Sequence, residues 1–139
     1  MNLASVIQET ISGLDIDGKP DVQILWECSP DLPPIPGDAA KLKQAFLNLF
    51  KNAVEAMPYG GILSIKGYLS GASICIDISD TGIGIPDDLK VFDLFSSTKP
   101  HGTGLGLFIV QQIVLAHDGV VSYASTAGKG TTFHLTLPA

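Results

Sequence analysis

The stretch D-T-G-I-G-I-P-D-D-L-K-V-F-D-L-F-S-S-T-K-P-H-G-T-G-L-G-L, Asp80 to Leu107, decides how the rest of the chain is read. It opens with an acid at the end of an alternating apolar segment, followed by Gly82 and Gly84. It closes with Gly102, Gly104 and Gly106, which lead into a nearly all-apolar run. Glycines of this kind let bare backbone approach a ligand, and a helix starting near Thr103 or Gly104 would offer free N–H groups and a positive dipole end to phosphates. The loop between the two clusters could close over what they bind. Together these features point to a nucleotide site. The better-known glycine motifs do not fit. The dinucleotide fingerprint G-x-G-x-x-G fails because Asp87 stands three residues after Gly84 and the second cluster is G-x-G-x-G. Gly13 to Lys19 has the spacing of a phosphate loop, but Pro20 occupies the place of the magnesium-holding hydroxyl and no strand precedes it.

Outward from that stretch, the bulk properties narrow the class. The 139 residues, 45% hydrophobic and 16% charged, suit one globular domain spanning 1–139. A net charge of −6 and a pI near 4.7 argue against a nucleic-acid or anionic-membrane surface. Phosphate contacts must then come from local amides, a metal or individual lysines. Cys28 and Cys75 stand singly in apolar runs with no C-x-x-C, as expected of buried thiols in a reducing compartment. There is no membrane-length apolar run and no basic signal-peptide start, so a cytoplasmic domain without direct membrane contact is expected.

In chain order, Leu3, Val6, Ile7, Ile11 and Leu14 are spaced as one face of a short helix, and Asp21 to Cys28 alternates as a strand with Val22, Ile24, Trp26 and Cys28 on one side. Four prolines between Ser29 and Gly37 make a connection. Asp38 caps a helix running to about Met57, with Leu42, Ala45, Phe46, Leu49, Phe50, Ala53, Val54 and Met57 as its buried stripe. Gln44, Asn48, Asn52 and Glu55 lie along another line of that helix. Asparagine is a poor helix former, so two in mid-helix are either solvated or core-satisfied amides or functional oxygens. Strands are predicted at Ile62–Leu69, Ala72–Ser79, Val120–Ser125 and Thr131–Leu137, and a helix at Leu105–Ala116. Asp80 continues the face of Ile74, Ile76 and Ile78, where a carboxylate needs a donor. It is either a turn-capping acid or the partner of a base amino group. Hairpins separated by helices imply an α/β (α+β) fold, a two-layer sandwich with a mixed, mainly antiparallel sheet covered on one face by about three helices.

Five segments in this order resemble the boxes of sensor histidine kinases, members of the Bergerat-fold (GHKL) superfamily. They are Gln44 with Asn48-Leu49-Phe50-Lys51-Asn52-Ala53, Asp80 to Ile85, Phe92 with Phe95, Gly102 to Leu107, and Gly128-Lys129-Gly130-Thr131. The resemblance covers roughly Asp21 to Pro138. It implies that Asn52 coordinates the Mg²⁺ bridging the phosphates of ATP, with Asn48 orienting that shell. It implies that Asp80 accepts a hydrogen bond from the adenine amino group, together with a water and Thr131, and that Gly82 and Gly84 pack closely around the base. Gly102, Thr103, Gly104, Leu105 and Gly106 would cradle the phosphates, and Thr98 and Lys99 would sit on an ATP lid at 86–103. A solvated loop lysine is the alternative for Lys99. ATP-hydrolysing relatives carry a glutamate base where Asn48 stands, so slow hydrolysis is expected.

The activity so implied is that of a protein-histidine kinase in a two-component system, acting through a histidine on a separate dimerisation domain and, downstream, a response regulator. In the family that histidine is followed by an acid and sits on a helical dimerisation domain, an element not expected within this chain. The lid residue His101, together with His117 and His134, is a poor phosphoacceptor, so no catalytic residue is assigned within it. Residues 1–14 would be the linker helix from the dimerisation domain, and the isolated piece a monomer. The alternatives are a nucleotide-binding interaction module without transfer activity, and a slow Bergerat-fold ATPase.

Overall fold

The computed structural model describes residues 1–14, 21–30, 32–57, 59–82, 105–126 and 128–139. Three helices and five strands follow in the order α1 (Leu3–Ser12), β1 (Val22–Cys28), α2 (Ala39–Glu55), β2 (Gly61–Ser70), β3 (Ser73–Asp80), α3 (Leu105–Ala116), β4 (Val120–Thr126) and β5 (Gly130–Pro138). The predicted lid at 86–103, with Phe92 and Phe95, lies outside the described residues.

The sheet runs β1-β2-β3-β5-β4, with β1 parallel to β2 and every other pairing antiparallel. This is the mixed sheet expected of hairpins interrupted by helices. β2 and β3 form a tight hairpin in which Ser70 pairs Ser73, which moves the turn from the expected Ser70-Gly71 to Gly71-Ala72. Alternation then sorts the side chains. Leu63 and Ile65 of β2, Ile74, Ile76 and Ile78 of β3, and Phe133, Leu135 and Leu137 of β5 are buried in one core with the helices. Lys66, Tyr68, Asp77 and His134 lie at the opposite parity. There His134 pairs with Asp77, and the Tyr68 hydroxyl donates to Asp77 Oδ2 at 3.1 Å. His134 thus faces outward, as the alternation predicts.

α2 is the central helix of the covering layer, packed against α1, α3, β2 and β3. Its start is set by Asp38, whose Oδ1 accepts from Lys41 N at 3.1 Å, the expected cap. Its predicted stripe is buried without exception, and Phe46 and Phe50 stack at 6.2 Å between centroids. Each fully buried side chain of this size contributes roughly 1.5–3 kcal/mol relative to exposure. α1 buries Thr10 beside Leu3, Val6 and Ile7, a polar position tolerated because its Oγ1 donates to Val6 O at 2.7 Å. The proline-rich connection is tied at both ends: Ser29 N donates to Gly67 O, and Ile35 exchanges backbone bonds with Met1. Cys75 is buried and Cys28 half-buried. Neither is in a disulfide, and burial pushes the Cys28 thiol up from its ordinary pKa.

Candidate nucleotide site

β3 ends with Asp80 on the same side as Ile74, Ile76 and Ile78, and the carboxylate is only 7% exposed. Desolvation raises its pKa above the ordinary 3.8, opposed by hydrogen bonds from the backbone of Gly82 and Thr131. The Gly82 N–H donates to Asp80 Oδ1 at 2.9 Å, closing a small turn at the strand end. Two backbone donors therefore fix the carboxylate. A carboxylate has about four lone-pair directions, so further acceptor capacity remains for a ligand.

Gly82 is required by the protein itself. A Cβ there would lie 2.2 Å from the Ala56 carbonyl oxygen, so the turn after Asp80 is seated directly on the C-terminal end of α2. This adds a structural reason, absent from the sequence reading, to the expected packing of Gly82 around a base. Gly130 is similarly constrained. Its φ is +112°, and a Cβ would stand 2.1 Å from Asp80 O. That close approach brings the start of β5 against the end of β3 and sets Thr131 opposite Asp80 in the register. Thr131 is 5% exposed, so the predicted pair meets in a buried setting.

Asn48 and Asn52 lie one turn apart on α2, both half-buried and both engaged in interactions, while Gln44 and Glu55 are exposed. Ala56, on which Gly82 rests, is four residues beyond Asn52 and forms the C-cap of α2. The end of α2 and the Asp80 turn are therefore one packed unit. Leu105 and Gly106 open α3, which is as much as the structure describes of the second glycine cluster. Gly84, Thr98, Lys99, Gly102, Thr103 and Gly104 lie outside the described residues.

Two supporting residues escaped the sequence reading. Thr81 Oγ1 accepts from Ile62 N at 3.1 Å and approaches Met57 Sδ, tying the strand end to the start of β2. Ser125 Oγ lies 2.9 Å from Thr131 Oγ1 and donates to Gly130 O at 3.2 Å. The inward alternation of Val121, Tyr123 and Ser125 was the available signal for the latter. No residue pattern signals the former, which depends on where two strands end.

A buried, backbone-fixed carboxylate at a strand end, facing a threonine and seated on a helix that carries two asparagines, defines a class. The sequence profile of the family described as "Histidine kinase-, DNA gyrase B-, and HSP90-like ATPase" matches residues 37–139, and the chain belongs to this family. Within it, the chain is homologous to the catalytic domains of sensor histidine kinases. Sporulation kinase B of Bacillus subtilis (strain 168) is 41% identical over 142 residues, covering 99% of this chain and 33% of that protein. Sensor histidine kinase ZraS of Escherichia coli (strain K12) is 40% identical over 120 residues, covering 85% and 26% respectively. The mycobacterial sensor histidine kinase MprB superposes with a TM-score of 0.87 at 30% identity, covering 99% of this chain and 95% of that one. Full-length ShkA in complex with AMPPNP superposes at 0.86 and 27% identity, covering 99% and 30%. The chain spans about a fifth to a third of the length of the curated relatives it matches.

Proposed function

We propose that this chain is the ATP-binding catalytic domain of a sensor histidine kinase, delivering the γ-phosphoryl group of ATP to a histidine on a separate dimerisation domain, from which a response regulator is charged. The observation that carries the reading is the Asp80–Thr131 pair. A carboxylate buried to 7% exposure, which two backbone donors leave with acceptor capacity, suits an adenine amino group. In this reading Gly84 lies beside the base, Thr98 and Lys99 contact phosphates from the lid, and Gly102, Thr103, Gly104, Leu105 and Gly106 cradle them at the start of α3.

The chemistry of the donor set fits magnesium. Among the described residues no cluster of His, Cys, Asp or Glu could hold a metal by itself, so the protein's share of the ligands would be few hard oxygens, with phosphates and waters supplying the rest. The Asn52 amide oxygen is such a ligand, and Asn48 one turn earlier would orient the shell. Bound there, Mg²⁺ supplies charge neutralisation on the transferring phosphates, as phosphoryl transfer requires. Asn48 is no proton acceptor at neutral pH, so the site positions ATP without activating water for its hydrolysis.

Calorimetric titration with ADP and a nonhydrolysable ATP analogue, with and without Mg²⁺, tests the site. The wild type binds, Asn52→Ala loses most of the magnesium-dependent affinity, and Asp80→Asn weakens binding by at least about tenfold, the size of one charge-assisted hydrogen bond. A folded wild type that binds neither nucleotide would sink the reading. Labelled ATP mixed with an isolated dimerisation domain then separates a kinase domain, which labels its histidine, from an interaction module, which does not.

A further inference from the structure

The β2–β3 ladder closes with Leu63 opposite Asp80. The next position in that register sets Ile62 opposite Thr81, and there the bond is made by a side chain: the Ile62 N–H donates to Thr81 Oγ1 at 3.1 Å. An amide N–H can only donate, so the hydroxyl oxygen is the acceptor whichever way its own hydrogen turns. With a side chain holding Ile62, the main chain of β3 leaves the sheet at Thr81 and turns over the end of α2, where Gly82 meets the Ala56 carbonyl. The same hydroxyl lies 3.7 Å from Sδ of Met57, a buried residue just past α2. A Cβ on Gly61 would collide with both Thr81 Oγ1 and Met57 Sδ, and the φ of Gly61 is +152°, so only a glycine lets the start of β2 close onto this point. The end of α2, the start of β2 and the end of β3 therefore meet on one hydroxyl.

We infer that Thr81 is a positioning residue for the nucleotide, whose hydroxyl clamps the turn from Asp80 to Gly82 onto the start of β2 and the end of α2 and so fixes the Asp80 carboxylate relative to Asn52. The inference rests on the proposed nucleotide reading and deepens it. In that reading the two ends of the ligand are held by separate elements, the base by β3 and the metal-bound phosphates by α2. The contact of Gly82 with Ala56 stops the turn from coming closer to α2, but a steric stop does not keep it from lifting away. The bond from Ile62 does, because β2 is held in the sheet by a neighbour on each side. Without that bond, a ligand spanning both ends must first order the turn, and the ordering is subtracted from its affinity. Thr81 touches no part of the ligand in this arrangement and acts through Asp80.

The test measures ADP binding by calorimetry, with and without Mg²⁺, on the wild type, Thr81→Val, Thr81→Ser and Ile7→Val, at a temperature where melting curves show every variant folded. Thr81→Val keeps the branched shape without the acceptor. It weakens ADP with Mg²⁺ by about fivefold, the worth of one hydrogen bond, and weakens ADP alone by less, since only the metal-bound ligand engages both ends. Thr81→Ser, which keeps the hydroxyl, stays within about twofold of the wild type. Ile7→Val shortens a fully buried side chain of α1 and lowers the melting temperature, yet binds as the wild type does. If Thr81→Val does not fold, Thr81→Ala carries the same expectation. A folded Thr81→Val that binds like the wild type or loses equally with and without Mg²⁺, a Thr81→Ser that loses as much, or an Ile7→Val that weakens binding to the same degree overturns the inference and leaves the nucleotide site standing. A wild type that binds no nucleotide overturns both.

Discussion

Burying the Asp80 carboxylate beside Ile78 and the end of α2 costs the apo protein stability. Its folded pKa lies above the ordinary 3.8 because desolvation outweighs the bonds from Gly82 and Thr131. Between those two values the native chain holds a proton that the unfolded chain has released, so stability falls as pH rises through the window. The expected outcome is a melting temperature of the wild type that drops, relative to Asp80→Asn, on going from a pH near 3.8 to neutrality. A difference that stays flat with pH would mean that the two backbone donors already offset the desolvation. Asp80 was legible from sequence because period-two alternation from Ile74 places it on the core side, where a lone acid is conspicuous. Ser125 was not legible as a partner of Thr131, since a serine in a strand is ordinary and the contact exists only in the β4–β5 register. Gly82 was read for its closeness to a ligand, while its contact with the Ala56 carbonyl needed the packing of a strand end on a helix end.

At the scale of elements, α2 and α3 are joined through His117. Its Nδ1 lies 2.8 Å from the Ile113 carbonyl oxygen and its Nε2 accepts from Asp38 N at 3.0 Å. A carbonyl can only accept and an amide N–H can only donate, so the ring is the neutral tautomer protonated on Nδ1. The imidazole thus links the last turn of α3 to the cap of α2, the helix that carries Asn48 and Asn52. His117→Ala should cost about 1 kcal/mol, read as a lower melting temperature by differential scanning calorimetry. An unchanged value would show that water replaces the ring at the Asp38 N–H. The sequence announced both helices clearly: α2 by its capping aspartate and eight-residue stripe, α3 by an apolar run between glycines. It read His117 merely as a poor phosphoacceptor, just beyond the helix predicted to end at Ala116. The bond spans 79 residues of chain, and local pattern has no access to such a separation.

For the whole molecule, one core holds the helices to a single face of the sheet, and stability is concentrated there. Phe46→Ala, which empties a fully buried position, should destabilise by about 3–5 kcal/mol in urea denaturation, whereas Leu25→Ser, at a position already 50% exposed on an edge strand, should stay within about 0.5 kcal/mol. Equal costs would contradict the one-core description. The sequence by itself determined the element order, the buried stripes and the sides of the strands, the inward placement of Asp80 among them. Each of these follows from the short-range periods of 3.6 and 2 and from backbone preferences of Gly, Pro and Asp. The tertiary structure alone decided that β1 runs parallel beside β2, that β5 lies between β3 and β4, and that Gly82 rests on Ala56 while Thr131 stands between Asp80 and Ser125. Those are pairings between distant segments, selected by how the apolar faces close over one another and by which backbones approach within about 3 Å, a distance no local pattern encodes.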